Sequence, residues 1–427
     1  MSKIHFVGIG GISMSALAVL MYDRGHIISG SDLVPNEQTQ MLEDIGVKIH
    51  IGHRKQNSVG ADLVVINGAI ADDNPELCNG TKVITREQLL AEIESEYSIR
   101  IAVAGTHGKS TTTAMIAAIL IQANLDPTVH NGAVMCINGH KSNFIIGNGK
   151  IFLTEACEFK RSFLTLNPTI AVITNIDFDH VDCFADLDDT KQAFNQFASK
   201  ANTVIKTEHC PPINFKLSVP GAHNRENARA AAQVGRALGI DERTIRIALE
   251  NFCGIDRRFQ KIAVIAEGKQ SVIQRSVATK NLRLPQSCQK APEIPRTRMS
   301  EGLGMTCHII SDYAHHPAEL DVTIATAKSI YNRFLVIFQP HTYTRTVTLF
   351  DDFIKVLSTC ECVLYKTYAA RELPIIGGRA QDLATALGTK YIATPRTLNN
   401  FIKKVAHDYD AIILTGAGDM QGNFKED

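Results

Sequence analysis

Residues 105–111 read GTHGKST, which places two glycines, a lysine and hydroxyl side chains at a spacing suited to gripping a polyphosphate. Gly105 and Gly108 let the backbone curl so that successive N–H groups, Thr106 and His107 included, converge on one anion. Lys109 supplies a point charge, and Ser110 or Thr111 a hydroxyl for Mg²⁺. The loop is one residue shorter than the GxxxxGK[ST] pattern, with Ala104 standing in the first glycine's place. Glu155 in TEACE, and Asp177, Asp179, His180 and Asp182 in TNIDFDHVD, follow apolar runs and offer carboxylates and an imidazole for the magnesium such chemistry needs. Histidine is an unusual magnesium ligand, so His180 reads either as a ligand or as a hydrogen-bonded structural residue. In DYAHHP, Asp312 and Tyr313 precede His315 and His316, and Pro317 stops the strand behind them.

A second glycine cluster lies near the start. Gly8, Gly10 and Gly11 follow an apolar run, and Asp32 closes the next one, which resembles the GxGxxG dinucleotide pattern with its acidic residue about 20 positions on. Ser13 occupies the third glycine's place, so the turn serves either a nucleotide or the backbone alone.

Each cluster requires a strand that ends and a helix that begins. Ile101–Ala104 is apolar throughout, and Met115, Ile116, Ile119 and Leu120 recur at helical spacing behind the loop. Strands of this kind alternate with helical stretches along the chain, which predicts an α/β fold with parallel sheets and ligands gathered at strand carboxyl ends. At 427 residues two or three domains are expected, and the pattern divides at 1–97, 98–255 and 256–427.

Lys+Arg and Asp+Glu both number 44, a balance that argues against a nucleic-acid or membrane-surface partner. The ten cysteines lack any CxxC, no apolar run reaches the length of a membrane span, and the N-terminus enters a strand directly. A reduced, cytoplasmic protein is expected.

The motifs GIGGISMSALA, GTHGKST, TEACE, TNIDFDHVD, GAHNRENA, RRF, DYAHHP, QPHTYTRT, TYAARE and LTGAGDM occur in this order, and together they resemble the Mur ligase family over most of the chain. The resemblance implies three domains: a Rossmann-like domain for a UDP-sugar, a P-loop ATPase-like domain for ATP, and a Rossmann-like domain for an amino acid. It implies an ATP- and Mg²⁺-dependent ligase acting on small molecules, and the motifs are most similar to the member that joins L-alanine to UDP-N-acetylmuramate. By the same resemblance Gly105 to Thr111 would bind the ATP phosphates, with Ser110 and Glu155 on one magnesium and His180 on a second. Asn224 and Asn227 would face the adenine, Arg258 the phosphates, and Asp312 and Tyr313 the nucleotide. His315, His316, His341 and Arg345 would line the amino-acid side, and Gly10, Gly11, Ser13 and Asp32 the UDP-sugar side.

The chain departs from the family in several places. The stretch between His180 and Gly221 is short, which implies a shortened central domain. Residues 266–307 are correspondingly long, basic and aperiodic, and read as an inserted loop. Asn67 and Gly68 stand where the family tends to have two serines, and TVHNGAV replaces a glycine pair. A nucleotide-binding protein derived from a ligase but without turnover is the second reading. An NAD oxidoreductase is a third, and it leaves Lys109, Glu155 and His180 without a purpose. As a loop residue facing solvent, Lys109 is expected to be replaceable by alanine without harm to the fold.

Overall fold

The computed structural model describes residues 1–137, 140–177, 183–266, 269–272, 306–370 and 372–420. His180 and most of the 266–307 stretch lie outside them. The strands form three sheets.

The first sheet contains β1 (Lys3–Val7), β2 (Ile27–Asp32), β3 (Lys48–Ile51), β4 (Leu63–Ile66) and β5 (Lys82–Thr85), in the order β3-β2-β1-β4-β5 and parallel throughout. The order reverses between β1 and β4, so a crevice opens at the carboxyl end of β1, where Gly8, Gly10 and Gly11 follow.

The second sheet contains β6 (Ile99–Ala104), β7 (Thr128–Ile137), β8 (His140–Ile145), β9 (Ile151–Glu155), β10 (Ile170–Ile173) and β11 (Thr203–Lys206), in the order β11-β10-β6-β9-β7-β8. Ile101, Ala102, Val103 and Ala104 are wholly buried, because helices cover both faces of a parallel sheet and leave no solvated side for alternation.

The third sheet contains β12 (Gln260–Ala266), β13 (Lys269–Val272), β14 (Thr306–Asp312), β15 (Phe334–Phe338), β16 (Cys362–Tyr365), β17 (Tyr391–Ile392) and β18 (Ala411–Thr415), in the order β13-β12-β14-β18-β15-β16-β17.

The sheets are mainly parallel, as the alternation of elements predicts, and antiparallel pairs occur in the second and third. β8 runs antiparallel to β7, and β12 antiparallel to both β13 and β14. The links from Ile137 to His140 and from Ala266 to Lys269 are too short for a crossover helix, and an antiparallel neighbour is what so short a link can reach.

The chain separates into two compact units. One spans residues 1–219 and 224–253 and contains the first two sheets; the other includes residues 220–223, 254–266, 306–370 and 372–420 and contains the third. The first unit's core runs from Phe6, Ile9 and Leu17 to Phe163, Phe194 and Phe197, with ring centroids 5.0 and 5.1 Å apart in the phenylalanine cluster. Among the described residues no helix is long and apolar enough to cross a membrane.

Candidate active site

The phosphate loop leaves the carboxyl end of β6 and enters the Lys109–Gln122 helix, whose first intrahelical bond runs from Thr112 N to Gly108 O. Gly108 caps that helix at φ 82, in the left-handed region, and a Cβ there would meet Asn227 Oδ1 at 2.5 Å. Gly105, at φ +143, lies so close to Thr174 that any side chain would overlap its hydroxyl. Asn227 and Asn224 are both buried, on the helix that begins at Ala222. The loop itself is fastened to the end of β10: Asn175 Oδ1 accepts from His107 N at 2.8 Å, Asn175 O accepts from Thr106 N at 3.1 Å, and Thr174 Oγ1 donates to His107 O at 2.6 Å. The motif reading overlooked Asn175; its place directly behind β10 was the available signal.

Lys109 is not the solvent-facing residue expected from the sequence. Its side chain is 13% exposed, and Nζ donates to Gly105 O at 2.6 Å, to Thr106 O at 3.0 Å and to Glu158 Oε1 at 3.0 Å. Burial works against the ammonium, but the Glu158 carboxylate outweighs it and the Lys109 pKa is raised. Glu158 is itself buried, and it too escaped the motif reading although TEACE offers two carboxylates.

Glu155 ends β9, which pairs with β6 so that Val103 and Glu155 lie side by side. Its Oε2 accepts from Ser110 Oγ at 2.7 Å and from Gly132 N at 2.9 Å, and Gly132 leaves no room for a Cβ there. A hydroxyl and a carboxylate at one point form an oxygen donor set suited to a hard cation such as Mg²⁺. Among the described residues no group of three or more His, Cys, Asp or Glu gathers to hold a metal. Thr111 is buried in the first helical turn.

At the crevice of the first sheet, Gly8 N and Ile9 N both donate to Ser31 O, and Gly10 N donates to Asp32 Oδ2 at 2.9 Å. A Cβ on Gly10 would meet Asn36 and Asp32 at 2.6 and 2.8 Å. Asp32 therefore closes the glycine turn rather than projecting toward a ribose as the dinucleotide pattern has it. Gly11 caps the Ile12–Asp23 helix. Behind the turn, Ser31 Oγ donates to Glu76, a fully buried carboxylate. Burial opposes its charge, yet bonds from His5, Ser31, Asn57 and His53 hold its pKa down at about 2. Ser13 faces the second sheet: its Oγ lies 2.8 Å from His130 Nε2 and accepts from Arg86 Nη1 at 2.9 Å.

His130 is buried on β7, with Nδ1 3.1 Å from Thr154 Oγ1, and burial together with the Arg86 charge pushes its pKa to about 3. A folded-state pKa below the free value of about 6.5 means that the neutral ring stabilises the fold above pH 6.5 and that this stability is lost as pH falls toward 3. Between pH 6.5 and 4.5 the loss amounts to up to about 2–3 kcal/mol. His130→Gln removes the titration, so its thermal midpoint is expected to fall less than that of the wild type over this range. Parallel losses in the two proteins would clear His130 of the effect.

In the second unit, Asp312 ends β14 and is buried; its Oδ2 accepts from Phe259 N at 2.7 Å and its Oδ1 from Ala314 N and Thr323 Oγ1, both at 2.9 Å. Burial pushes this carboxyl up, against the pull of the Arg258 charge. Arg258 donates to Glu319 at 3.2 Å, and the guanidiniums of Arg257 and Arg258 lie 4.7 and 5.4 Å from the Tyr313 ring centre. Four rings continue from there: Tyr313 meets His315 at 5.2 Å, His315 meets His341 at 5.7 Å, and His341 stacks on Tyr368 at 5.6 Å. Burial pushes His315 down to about 4 and lowers His341 as well, so both rings are neutral at neutral pH. Arg345 Nη1 donates to His341 O at 3.2 Å. His316 Nδ1 accepts from Ala318 N at 3.3 Å and caps the Pro317–Ile330 helix.

Phosphate chemistry is what the first unit is arranged for, which puts the protein in the class of nucleotide-using α/β enzymes. Comparison with known proteins narrows that class. Residues 3–98 match the model of the Mur ligase family catalytic domain, and residues 103–208 that of the Mur ligase middle domain. The UDP-N-acetylmuramate–L-alanine ligases of Clostridium botulinum (strain Langeland) and Caldicellulosiruptor saccharolyticus are each 34% identical over 98% of this chain, covering 95% and 97% of their own lengths. This chain belongs to the Mur ligase family. Membership implies the use of ATP. Of solved structures, the UDP-N-acetylmuramate-alanine ligase MurC of Thermotoga maritima superposes with a TM-score of 0.76 at 27% identity, over 99% of this chain and 97% of its own. The murein peptide ligase of Psychrobacter arcticus, at 22% identity and a TM-score of 0.65 over 99% of this chain and 97% of its own, shares the fold.

Proposed function

We propose that this protein joins L-alanine to the lactyl carboxylate of UDP-N-acetylmuramate at the expense of ATP, in the synthesis of peptidoglycan precursors. The cluster of Lys109, Ser110 and Glu155 at the ends of β6 and β9 carries the reading, because a loop lysine, a hydroxyl and a carboxylate gathered at one point suit phosphoryl transfer from ATP. Three domains, residues 1–97, 98–255 and 256–427, bind the UDP-sugar, ATP and the amino acid.

Amide formation in water is uphill, so the carboxylate first attacks the γ phosphate of ATP and becomes an acyl phosphate. The amine then displaces phosphate from the acyl carbon. Lys109 and Arg258 stabilise the charge on the transferring phosphoryl group, an electrostatic task that needs no covalent protein nucleophile. The loop N–H groups from Gly105 to Thr111 hold the phosphates, Asn224 and Asn227 flank the adenine side, and Asp312 and Tyr313 border the nucleotide. Gly10 and Gly11 face the UDP-sugar; Asp32 acts there by fixing Gly10, and Ser13 by tying the turn to His130. His315, His341 and Arg345 receive the amino acid, with His316 holding the helix behind them.

Ser110, Glu155 and His180 would hold Mg²⁺, whose role is to neutralise phosphate charge. Glu155→Ala is expected to raise the magnesium concentration needed for half-maximal rate severalfold. A titration curve that does not move would make Glu155 structural.

The test is ADP release with UDP-N-acetylmuramate and a panel of amino acids, together with hydroxylamine trapping when the amine is omitted. Alanine-dependent ADP release and a trapped hydroxamate are the expected results. The competing reading, a ligase relative without turnover, draws on the alignment with the C. botulinum enzyme, which runs over 480 positions against the 427 residues of this chain, so that the relative carries stretches absent here. Nucleotide binding with neither ADP nor hydroxamate would favour that reading.

A further inference from the structure

We propose that Glu158 is a positioning residue that competes with ATP for Lys109, holding the ammonium on the loop's own acceptors until nucleotide displaces it. The inference rests on the reading of residues 105–111 as the ATP site. An ammonium has three protons to donate, and at Lys109 all are spoken for: Gly105 O lies at 2.6 Å, Thr106 O at 3.0 Å, and the Glu158 oxygens at 2.9 and 3.0 Å. To reach a phosphate, the ammonium must surrender some of these bonds.

The two carboxylates of TEACE have separate partners. Glu155 is engaged by Ser110 and by the backbone of Gly132, whereas Glu158 is engaged by Lys109. Glu158 is 2% exposed, so water does little to screen its hold on the lysine. The position is set by local geometry: Ala156 N donates to Val103 O at 2.9 Å, which keeps the segment after β9 beside β6, and Glu158 O accepts from Arg161 N at 2.8 Å where the chain turns through Lys160 and Arg161 at positive φ. A site whose lysine is already engaged binds nucleotide with an apparent affinity reduced by the fraction in which the lysine is free. Once phosphate takes over part of the ammonium, the remaining bond to Glu158 keeps it aligned during transfer.

Removing the charge should therefore move affinity and rate in opposite directions, which a purely structural carboxylate would not do. The experiment compares wild type with Glu158→Gln, measuring the Kd for β,γ-methylene ATP by calorimetry, the kcat with UDP-N-acetylmuramate and L-alanine, and the thermal midpoint. The glutamine variant is expected to bind the analogue about tenfold more tightly and to turn over more slowly. Unchanged or weaker binding in a folded variant overturns the proposal. Glu158→Asp retains the charge but withdraws it by one methylene, and an affinity between the two is expected; it carries the test if the glutamine variant does not fold. A wild type that fails to bind the analogue would instead remove the ATP-site reading, whereas a wild type that binds it, with a glutamine variant that binds no better, removes only the role of Glu158.

Discussion

Lys109→Met is expected to lower the rate of alanine-dependent ADP release by at least about 10²-fold, the usual scale for losing one preorganised group that stabilises transition-state charge. The same change is expected to cost stability. Methionine leaves the buried Glu158 carboxylate without its cation, and stripping one partner from a buried ion pair typically costs about 3–5 kcal/mol. Adding Glu158→Gln should restore most of the lost stability but none of the rate. Thermal melts and steady-state kinetics on the two single variants and the double variant separate these effects. If the single Lys109 variant melts with the wild type, the ion pair has no weight in the fold; if it turns over normally, the loop does not serve phosphate.

Arg345→Ala is expected to raise the KM for L-alanine by about 10- to 100-fold, the range expected for losing charge-assisted hydrogen bonds to a carboxylate. The KM for ATP should change by less than about twofold, since contacts that share no partner act independently. The reasoning turns on charge within the second unit. His315 and His341 are neutral at neutral pH, and Arg258 is paired with Glu319, whereas among the described residues the Arg345 guanidinium bonds within its own turn, to His341. That leaves a planar fork able to take an amino-acid carboxylate in two parallel bonds. Small and equal changes in both constants would assign Arg345 to capping its helical turn. Lysine at this position should rescue poorly, because a point charge cannot reproduce the fork.

Much of this architecture was legible in the sequence, because buried parallel strands are apolar without interruption and the turns at their ends are marked by glycine. Gly8, Gly105, Glu155 and Asp312 all sit at or just past strand carboxyl ends, as expected. The antiparallel edges were not legible, since a short apolar strand has the same composition in either direction. Side-chain partnerships were legible only in part. That Ser110 meets Glu155 follows from β6 and β9 being neighbours, which the order of elements does not reveal by itself. Glu158 was hidden because a carboxylate three residues past the strand end reads like any loop acid until the fold sets it against Lys109. His316 and His315 are adjacent and chemically identical, and only the start of the following helix decides that one caps it while the other faces the rings.

The stacking of Tyr368 on His341, at 5.6 Å and 12° between ring planes, offers a means of observation. The chain contains no tryptophan, so Tyr368→Trp would introduce the protein's sole indole. With Tyr368 37% exposed and stacked on a neutral imidazole, that indole would report events at the ring row with no second indole to obscure them. Its emission would respond when a ligand shed water from the ring or when acid charged His341, which would give the proposed amino-acid step a signal that can be followed in real time.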